Sequence, residues 1–507
     1  MVDVLLSTLN AKYLHSAFGL RYLYANLGAL KPRAAIKEFD INLRVSDIAE
    51  DILAHSPRVL GLGVYIWNAT QTLELVSILK RLAPEMIIVL GGPEISHETE
   101  AQTLCALADY VVCGEGEVAF RELTVQLLAG ERPATKILHP APPEITELQM
   151  PYAEYSEHDC QHRVIYVEAS RGCPFSCEFC LSSLDERVRA FPLDAFLTQM
   201  ESLLAKGVRQ FKFVDRTFNL QIETSRKILQ FFLDRYEPGL FVHFEMIPDR
   251  LPAALREIIA AYPAGALQFE VGVQTLNTDV EKRISRRQNQ ERMAENFAFL
   301  QTTGVHVHAD LIAGLPGEDL GSFERGFDRL EAMGAQEIQL GILKRLRGTP
   351  IVRHDAEFSM VYSPLPPYEI LKNTTIDFAT LQRIKRFAKF WDVFANSGNF
   401  KETVVLIGRR FAPFMMFSDW LYPLLGKTWG ISLHRQYELV WDYGCAQGWD
   451  KADLSLRLLH DYGRSGRPDH PAWMLEHLSA EERTALPRRA PKSSLPKRQA
   501  RHLENAP

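Results

Sequence analysis

The chain predicts a mixed α/β protein in three parts: an N-terminal doubly wound open sheet, a central partial barrel of six βα units, and a C-terminal, mainly helical domain. Three observations predict it. Short apolar runs alternate with amphipathic stretches through residues 1–138. The alternation resumes after Cys160 for six more units. Beyond a cluster of prolines at Pro364, Pro366 and Pro367 the text becomes mainly helical and rich in Trp and Tyr.

In the first part, the runs 2–6, 59–66, 86–90 and 110–113 are continuous and apolar, as buried parallel strands are. Residues 34–39 supply a further strand, and 14–30, 69–82 and 118–128 carry apolar residues at helical spacing. About five βα units make an open sheet of flavodoxin-like size. Pro133, Pro140, Pro142 and Pro143 then fall in a stretch without periodicity, which reads as a linker over 139–161.

The central part, 162–350, reads as strands at 163–168, 210–214, 241–246, 267–273, 305–312 and 337–343. Helices are expected between them at 196–204, 225–236, 251–261, 292–300 and 323–333. Six units here are too few for an eight-fold barrel of roughly 250 residues, so a (β/α)6 barrel of TIM type is expected. In the helical part, 365–480, Trp391, Trp420, Trp429, Trp441 and Trp473 read as core aromatics. The stretch 487–507, basic and rich in Pro and Ser, reads as a disordered tail.

The 507 residues carry a net charge of −6, which argues against a nucleic-acid partner. Seven cysteines in no regular framework suit a reducing cytoplasm. The N-terminus lacks a basic region ahead of an apolar stretch, and no segment approaches the roughly 18–20 apolar residues of a membrane span.

The chemistry concentrates at Cys173-Pro174-Phe175-Ser176-Cys177-Glu178-Phe179-Cys180, directly after the first barrel strand. Clustered thiols at short spacing read as metal ligands. An iron–sulfur cubane takes four thiolates, so three leave one iron open for a ligand. A zinc knuckle would want a second Cys/His pair, whereas Cys105, Cys113, Cys160 and Cys445 are scattered. With Arg171-Gly172 ahead and Phe179 before the last thiol, the stretch resembles the signature of the radical S-adenosylmethionine superfamily. The resemblance implies a [4Fe–4S] cluster on Cys173, Cys177 and Cys180, with S-adenosylmethionine on the open iron and reductive cleavage to an adenosyl radical. It implies an electron donor such as flavodoxin or ferredoxin.

Three later motifs fall at the second, fourth and fifth barrel strands: Asp215-Arg216-Thr217-Phe218-Asn219 follows the second, Glu270 to Thr275 lies on the fourth, and Asp310 to Glu318 with its Gly314-Leu315-Pro316-Gly317 turn ends the fifth. In that order they resemble the S-adenosylmethionine-contacting elements of the superfamily. The resemblance puts Asp215 where many members carry Gly-Gly-Glu, although those glycines are absent here. It puts Glu270, Gln274 and Thr275 on the ribose and methionyl side, Gly314 near the adenine and Phe179 beside the cluster. Lys344, Arg345 and Arg347 follow the sixth strand and either pair the methionyl carboxylate or form a solvated surface cluster.

In the N-terminal domain, polar and glycine-rich residues collect where the strands end, the ligand-binding edge of an open α/β sheet. They are Ser7 and Asn10, Tyr65 and Trp67, Gly91-Gly92-Pro93-Glu94, and Gly114-Glu115-Gly116-Glu117. Ahead of a radical domain, these loops resemble the cobalamin-binding module of class B radical S-adenosylmethionine enzymes. A module that has lost its cofactor is the alternative. His15 lacks the D-x-H-x-x-G setting of a cobalt ligand, so an uncoordinated lower face is expected. The helical domain resembles an uncharacterised domain attached to such proteins.

The implied function is cobalamin-dependent radical methylation of an unactivated carbon in an unknown, small-molecule-type substrate. Ring closure or rearrangement without methyl transfer is the alternative within the class. A cobalamin- and cluster-containing sensor or carrier is the alternative outside it.

Overall fold

The computed structural model describes residues 2–465, 471–479, 481, 498, 501 and 502. The backbone divides into two compact units. One comprises Met1–Arg216, Lys344–Val352 and Tyr362–Glu369; the other comprises Thr217–Leu343, Arg353–Val361 and Ile370–Pro507.

In the first unit, β1 (Val4–Asn10), β2 (Ala34–Asp40), β3 (Val59–Gly63), β4 (Ile87–Gly91), β5 (Tyr110–Val112) and β6 (Ile137–Leu138) form one parallel sheet in the order β2-β1-β3-β4-β5-β6. The first five strands have the doubly wound order of flavodoxin. Strand alternation explains the two cores. Leu5, Leu60 and Ile88 point to helices Val45–His55 and Ala69–Leu82, whose Ile48, Ile52, Leu75 and Leu79 cover them. Val4, Leu6 and Val89 point the other way, under Leu20, Phe120 and Leu123 of helices Phe18–Ala25 and Glu117–Leu128. Truncating a fully buried leucine such as Leu60 to Ala costs about 2–5 kcal/mol.

Two expectations change here. The helix expected over 14–30 is shorter, Phe18–Ala25, followed by a 3-10 turn at Gly28–Arg33 that starts from a glycine at φ +56°. The stretch 139–161 is packed rather than a free spacer. Ser156 and Asp159 form a reciprocal cap on helix Glu157–His162, while Tyr152 and Tyr155 are buried. A buried ion-pair group fastens it, with Arg21 2.9 Å from Asp159 and 3.0 Å from Glu38, and Arg163 2.6 Å from Glu38.

The unit continues with β7 (Ile165–Val167), the short antiparallel pair β8 (Ser170–Arg171) and β9 (Arg189–Ala190), and β10 (Gln210–Phe213), which runs parallel to β7. The cysteine loop is the connection between β8 and β9.

In the second unit, β11 (Phe241–Met246), β12 (Leu267–Gln274), β13 (His306–Ala313) and β14 (Glu337–Ile342) pair in parallel, each with the next. With β7 and β10 they complete six βα repeats in chain order. Period-two alternation sets Phe269, Val271 and Val273 on the buried face of β12 and Glu270 and Gly272 on the other. The C-terminal helices pack on this unit through aromatics: Phe327 meets Phe387 and Trp391 at ring separations of 5.3 and 4.8 Å. Trp391 is fully buried, but Trp429 is 74% exposed and fills no core. Asn396 accepts from the Ile338 N–H and donates to its carbonyl, serving the free edge of β14 as a strand partner would. The tail expected as disordered lies outside the described residues except for Arg498, Arg501 and His502. No helix among the described residues is long and apolar enough to cross a membrane.

Candidate active site

The cysteine loop is held by backbone devices close to its thiols. Gly172 sits at φ +88°, and a Cβ there would lie 2.3 Å from the Arg187 carbonyl oxygen, so only glycine permits the turn into Cys173. The Cys173 N–H donates to the Asp185 carbonyl at 2.9 Å, and Cys180 N–H to the Cys177 carbonyl at 3.1 Å. Cys173 and Cys177 are buried and Cys180 is half-buried. Burial pushes the Cys173 thiol up, and the neighbouring Cys180 and Cys177 push it further. Three thiols gathered on one partly enclosed loop, with no fourth cysteine in it, fit a cubane cluster with one iron left for an outside ligand.

Asp215 braces this loop from the end of β10. Its carboxylate accepts from the Ala169 N–H at 2.9 Å and from the Ser170 hydroxyl at 2.7 Å. Burial pushes its pKa up to about 7. The structure thus gives Asp215 a partner in the backbone just ahead of the loop.

A cavity of about 280 Å³ opens where β3, β4 and β5 end. Of the residues expected at a corrin, Tyr65, Gly91, Gly92, Gly114, Glu115, Gly116 and Glu117 line it. Gly92, at φ +108°, lets the chain pass the Val64 carbonyl, which a Cβ would meet at 2.4 Å. The other expected residues are placed otherwise. Asn10 donates to Glu38 and to the His15 carbonyl. Trp67 stacks on Tyr65 at 4.5 Å and donates to the Leu9 carbonyl. Ser7 is buried within β1. Glu94, next to Pro93, pairs with Arg347 at 3.0 Å and accepts from the Tyr368 hydroxyl at 2.6 Å. Arg345 pairs with Glu98. Arg345 and Arg347 are thus paired with acidic residues of the N-terminal domain, an arrangement that differs from both expectations, a methionyl carboxylate partner and a solvated surface cluster. His15 does not line the cavity; its Nδ1 lies 2.6 Å from the Tyr166 hydroxyl.

Sequence reasoning missed the cavity's other wall: Phe18, Tyr22 and Phe120 from the covering helices, and Glu168 and Arg171 from the edge of the cysteine loop. Arg171 Nη1 lies 2.7 Å from Glu115 and 2.8 Å from Glu117, and its Nε lies 2.9 Å from Glu168. Its guanidinium covers the Tyr22 ring at 4.5 Å. Burial opposes the charge, yet Glu168 and Glu117 outweigh it and raise the Arg171 pKa. Glu115 is also held by Arg189, and burial, the first influence on it, is overcome by these cations so that its pKa is lowered. One carboxylate oxygen of Glu117 is buried without a hydrogen-bond partner among the described residues. A glycine-lined cavity with a partnerless carboxylate oxygen on a residue of its wall fits a ligand rimmed with amide donors, as a corrin is.

In the second unit, Glu270 stands 3.0 Å from His243 Nε2. Gln274 ends β12 at a bulge, with φ +69°, a left-handed conformation that is strained for a side chain of this kind, and its Oε1 is buried without a partner among the described residues. Strain of this kind concentrates at functional sites. Thr275 is buried and donates to Glu318 at 2.6 Å, and burial pushes Glu318 up to about 7. Gly314, at φ +91°, leaves room for Ile370, whose Cγ2 a Cβ would meet at 2.5 Å. Phe179 lies within the cysteine loop, one residue before Cys180.

Comparison with known proteins finds three families matched along the chain. The chain matches the radical SAM superfamily over residues 167–330, the B12 binding domain over 5–124, and a protein of unknown function family (DUF4080) over 356–496. It is 26% identical over 319 residues to 2-(S-pantetheinyl)-carbapenam-3-carboxylate methyltransferase of Streptantibioticus cattleyicolor, covering 55% of this chain and 46% of that one. The chain thus spans about half the length of that relative. Among solved structures it resembles the cobalamin-dependent S-adenosylmethionine radical enzyme OxsB with aqua-cobalamin and S-adenosylmethionine bound, at TM-score 0.63 and 14% identity over 95% of this chain and 84% of that one. It also resembles the methyltransferase TsrM from Kitasatospora setae with tryptophan and a S-adenosylmethionine analogue bound, at TM-score 0.57 and 18% identity over 70% of this chain and 76% of that one. The chain thus carries a radical S-adenosylmethionine domain behind an N-terminal cobalamin-binding domain, and its cofactors are a [4Fe–4S] cluster, S-adenosylmethionine and cobalamin.

Proposed function

We propose that the protein is a cobalamin-dependent radical S-adenosylmethionine methyltransferase acting on an unactivated carbon of a small-molecule substrate in the cytoplasm, with a flavodoxin- or ferredoxin-type electron donor. The carrying observation is Arg171, which begins the cysteine loop and is ion-paired to Glu115 and Glu117 on the cavity wall. One side chain thereby ties the loop that would hold the cluster to the loop that would hold the corrin.

Bound, the cluster would supply one electron for reductive cleavage of S-adenosylmethionine, and the corrin would supply methyl transfer. The chain's own residues bind and orient. Cys173, Cys177 and Cys180 would hold the cluster, and Asp215 keeps the entry to their loop in place through Ala169 and Ser170. Gly92 and Gly116 leave the cavity floor open, and Glu117 offers an acceptor to a corrin amide. Glu270 and Gln274 present polar atoms at the end of β12, where S-adenosylmethionine is expected. Tyr22, Phe18 and Phe120 exclude water from the cavity wall.

A second reading has support too. The likeness covering 95% of the chain is to a protein described as a radical enzyme rather than a methyltransferase. Anaerobically reconstituted protein, supplied with methyl-labelled S-adenosylmethionine, cobalamin, reductant and a cell metabolite extract, tests both. Labelled product heavier by a CH₂ unit supports methylation. Unlabelled product with 5′-deoxyadenosine supports rearrangement, and no 5′-deoxyadenosine at all overturns both in favour of a sensor.

A further inference from the structure

At the N-terminal ends of β13 and β14, the ends opposite Gly314, three side chains suited to a metal ion converge. His306 opens β13 and Glu337 opens β14; both are buried, and His306 Nε2 lies 3.0 Å from Glu337 Oε1. His502 approaches from the C-terminal segment, its Nε2 3.6 Å from the same oxygen and its ring 4.9 Å from that of His306. The three ligand atoms lie within 4.8 Å of one another.

We propose that His306, Glu337 and His502 form a divalent transition-metal site of the zinc type that anchors the C-terminal segment to the base of the barrel. Two imidazoles and one carboxylate are a set that zinc accepts, with a fourth position left for water or another side chain. His308 supplies one candidate: its Nδ1 lies 3.9 Å from the other Glu337 oxygen, while its Nε2 faces Asp310 at 3.6 Å.

Arg498 also claims Glu337, with Nε 2.7 Å from Oε1 and Nη2 2.7 Å from Oε2. It is shared, however: the same Nη2 lies 2.6 Å from Asp392. An ion at Oε1 would displace the Arg498 Nε contact and leave Arg498 held through Nη2 by Oε2 and Asp392. His502 Nε2 lies 2.8 Å from the Asn396 carbonyl. Binding therefore exchanges that hydrogen bond for the metal and leaves the ring proton on Nδ1. Both partners of the exchange sit at the edge where Asn396 pairs with β14, so metal occupancy would set how firmly the C-terminal segment seats.

The test uses the full chain with Cys173, Cys177 and Cys180 replaced by Ala, because empty loop thiols would otherwise take zinc themselves. Zinc alone is titrated against a chromophoric chelator, and thermal unfolding is followed in parallel. The expected result is one zinc per chain and a raised Tm. His502→Ala should weaken binding by about 100-fold and abolish the Tm shift, and His306→Gln should do the same. His502 lies in the C-terminal segment, so its variant decides the matter if the His306 variant does not fold. Failure to bind one equivalent, or binding left unchanged in His502→Ala, would overturn the site without touching the reading of the cysteine loop.

Discussion

Arg171 and Glu115 meet at 2.7 Å, one residue standing two before Cys173 and the other on the loop after β5. This pair joins the cysteine loop to the loop after β5 and is buried enough to matter. Removing one partner of a buried, networked pair leaves uncompensated charge and costs about 3–5 kcal/mol. Arg171→Lys keeps the charge and loses the forked geometry. We expect it to fold, to weaken hydroxocobalamin binding at least about tenfold in equilibrium titration, and to broaden the cluster's spin-resonance signal. Unchanged cobalamin affinity would break the proposed link.

Gly116 lines the cavity, with its nearest neighbour, Val112 Cγ1, 3.3 Å from where a Cβ would stand. Gly116→Leu should abolish cobalamin binding while leaving iron content unchanged. His15→Ala should leave cobalamin affinity within about twofold, because the His15 ring is engaged with Tyr166 outside the cavity. A cobalt–imidazole signal lost in that variant would reverse the assignment.

Asp215 gives a pH prediction. Its pKa of about 7 in the folded protein lies above the ordinary aspartate value of 3.8, chiefly through burial. A carboxyl raised in this way contributes stability that is fully present below pH about 4 and is lost as pH rises to about 7. Asp215→Asn has no such dependence. The urea midpoint of the variant should therefore gain on that of the wild type as pH rises from 4 to 8. A gap that moves the other way would mean the carboxylate is held ionised.

Gln274 should separate stability from function. Gln274→Gly relieves a left-handed conformation that costs roughly 1–2 kcal/mol, partly offset by glycine's greater freedom when unfolded. Stability should stay level or rise by up to about 1 kcal/mol, while reductive cleavage of S-adenosylmethionine falls at least about tenfold with iron and cobalamin contents unchanged. Glu270→Ala should show the same loss of cleavage. Cleavage at the wild-type rate in both would remove β12 from the site.

What the sequence made legible was local. The cysteine spacing, the Gly92 and Gly116 loops and the βα alternation each depend on neighbours in the chain, and the doubly wound class of the first sheet follows from the alternation. Unread were features made by distant residues. Tyr22 and Phe120 look like ordinary apolar positions of amphipathic helices until the fold sets them around one cavity. Glu94 looked like a ligand residue because its loop is glycine-rich, but Arg347, 253 positions away, takes its carboxylate. The strand expected at 59–66 stops at Gly63 because Asn68 turns the chain by accepting from the Tyr65 N–H. The pair β8–β9 is two residues long on each side, too short for alternation to show.

The most direct measurement is the iron and S-adenosylmethionine chemistry of single cysteine variants after anaerobic reconstitution. Wild-type protein should hold about four irons per chain and form 5′-deoxyadenosine on reduction. Cys173→Ala, Cys177→Ala and Cys180→Ala should each lose cluster absorption and 5′-deoxyadenosine formation while still binding cobalamin. Cys105→Ala, Cys113→Ala, Cys160→Ala and Cys445→Ala should keep both. If Cys160→Ala proves as damaging to the cluster as Cys173→Ala, a fourth thiolate closes the iron meant for S-adenosylmethionine, and the proposed chemistry is contradicted.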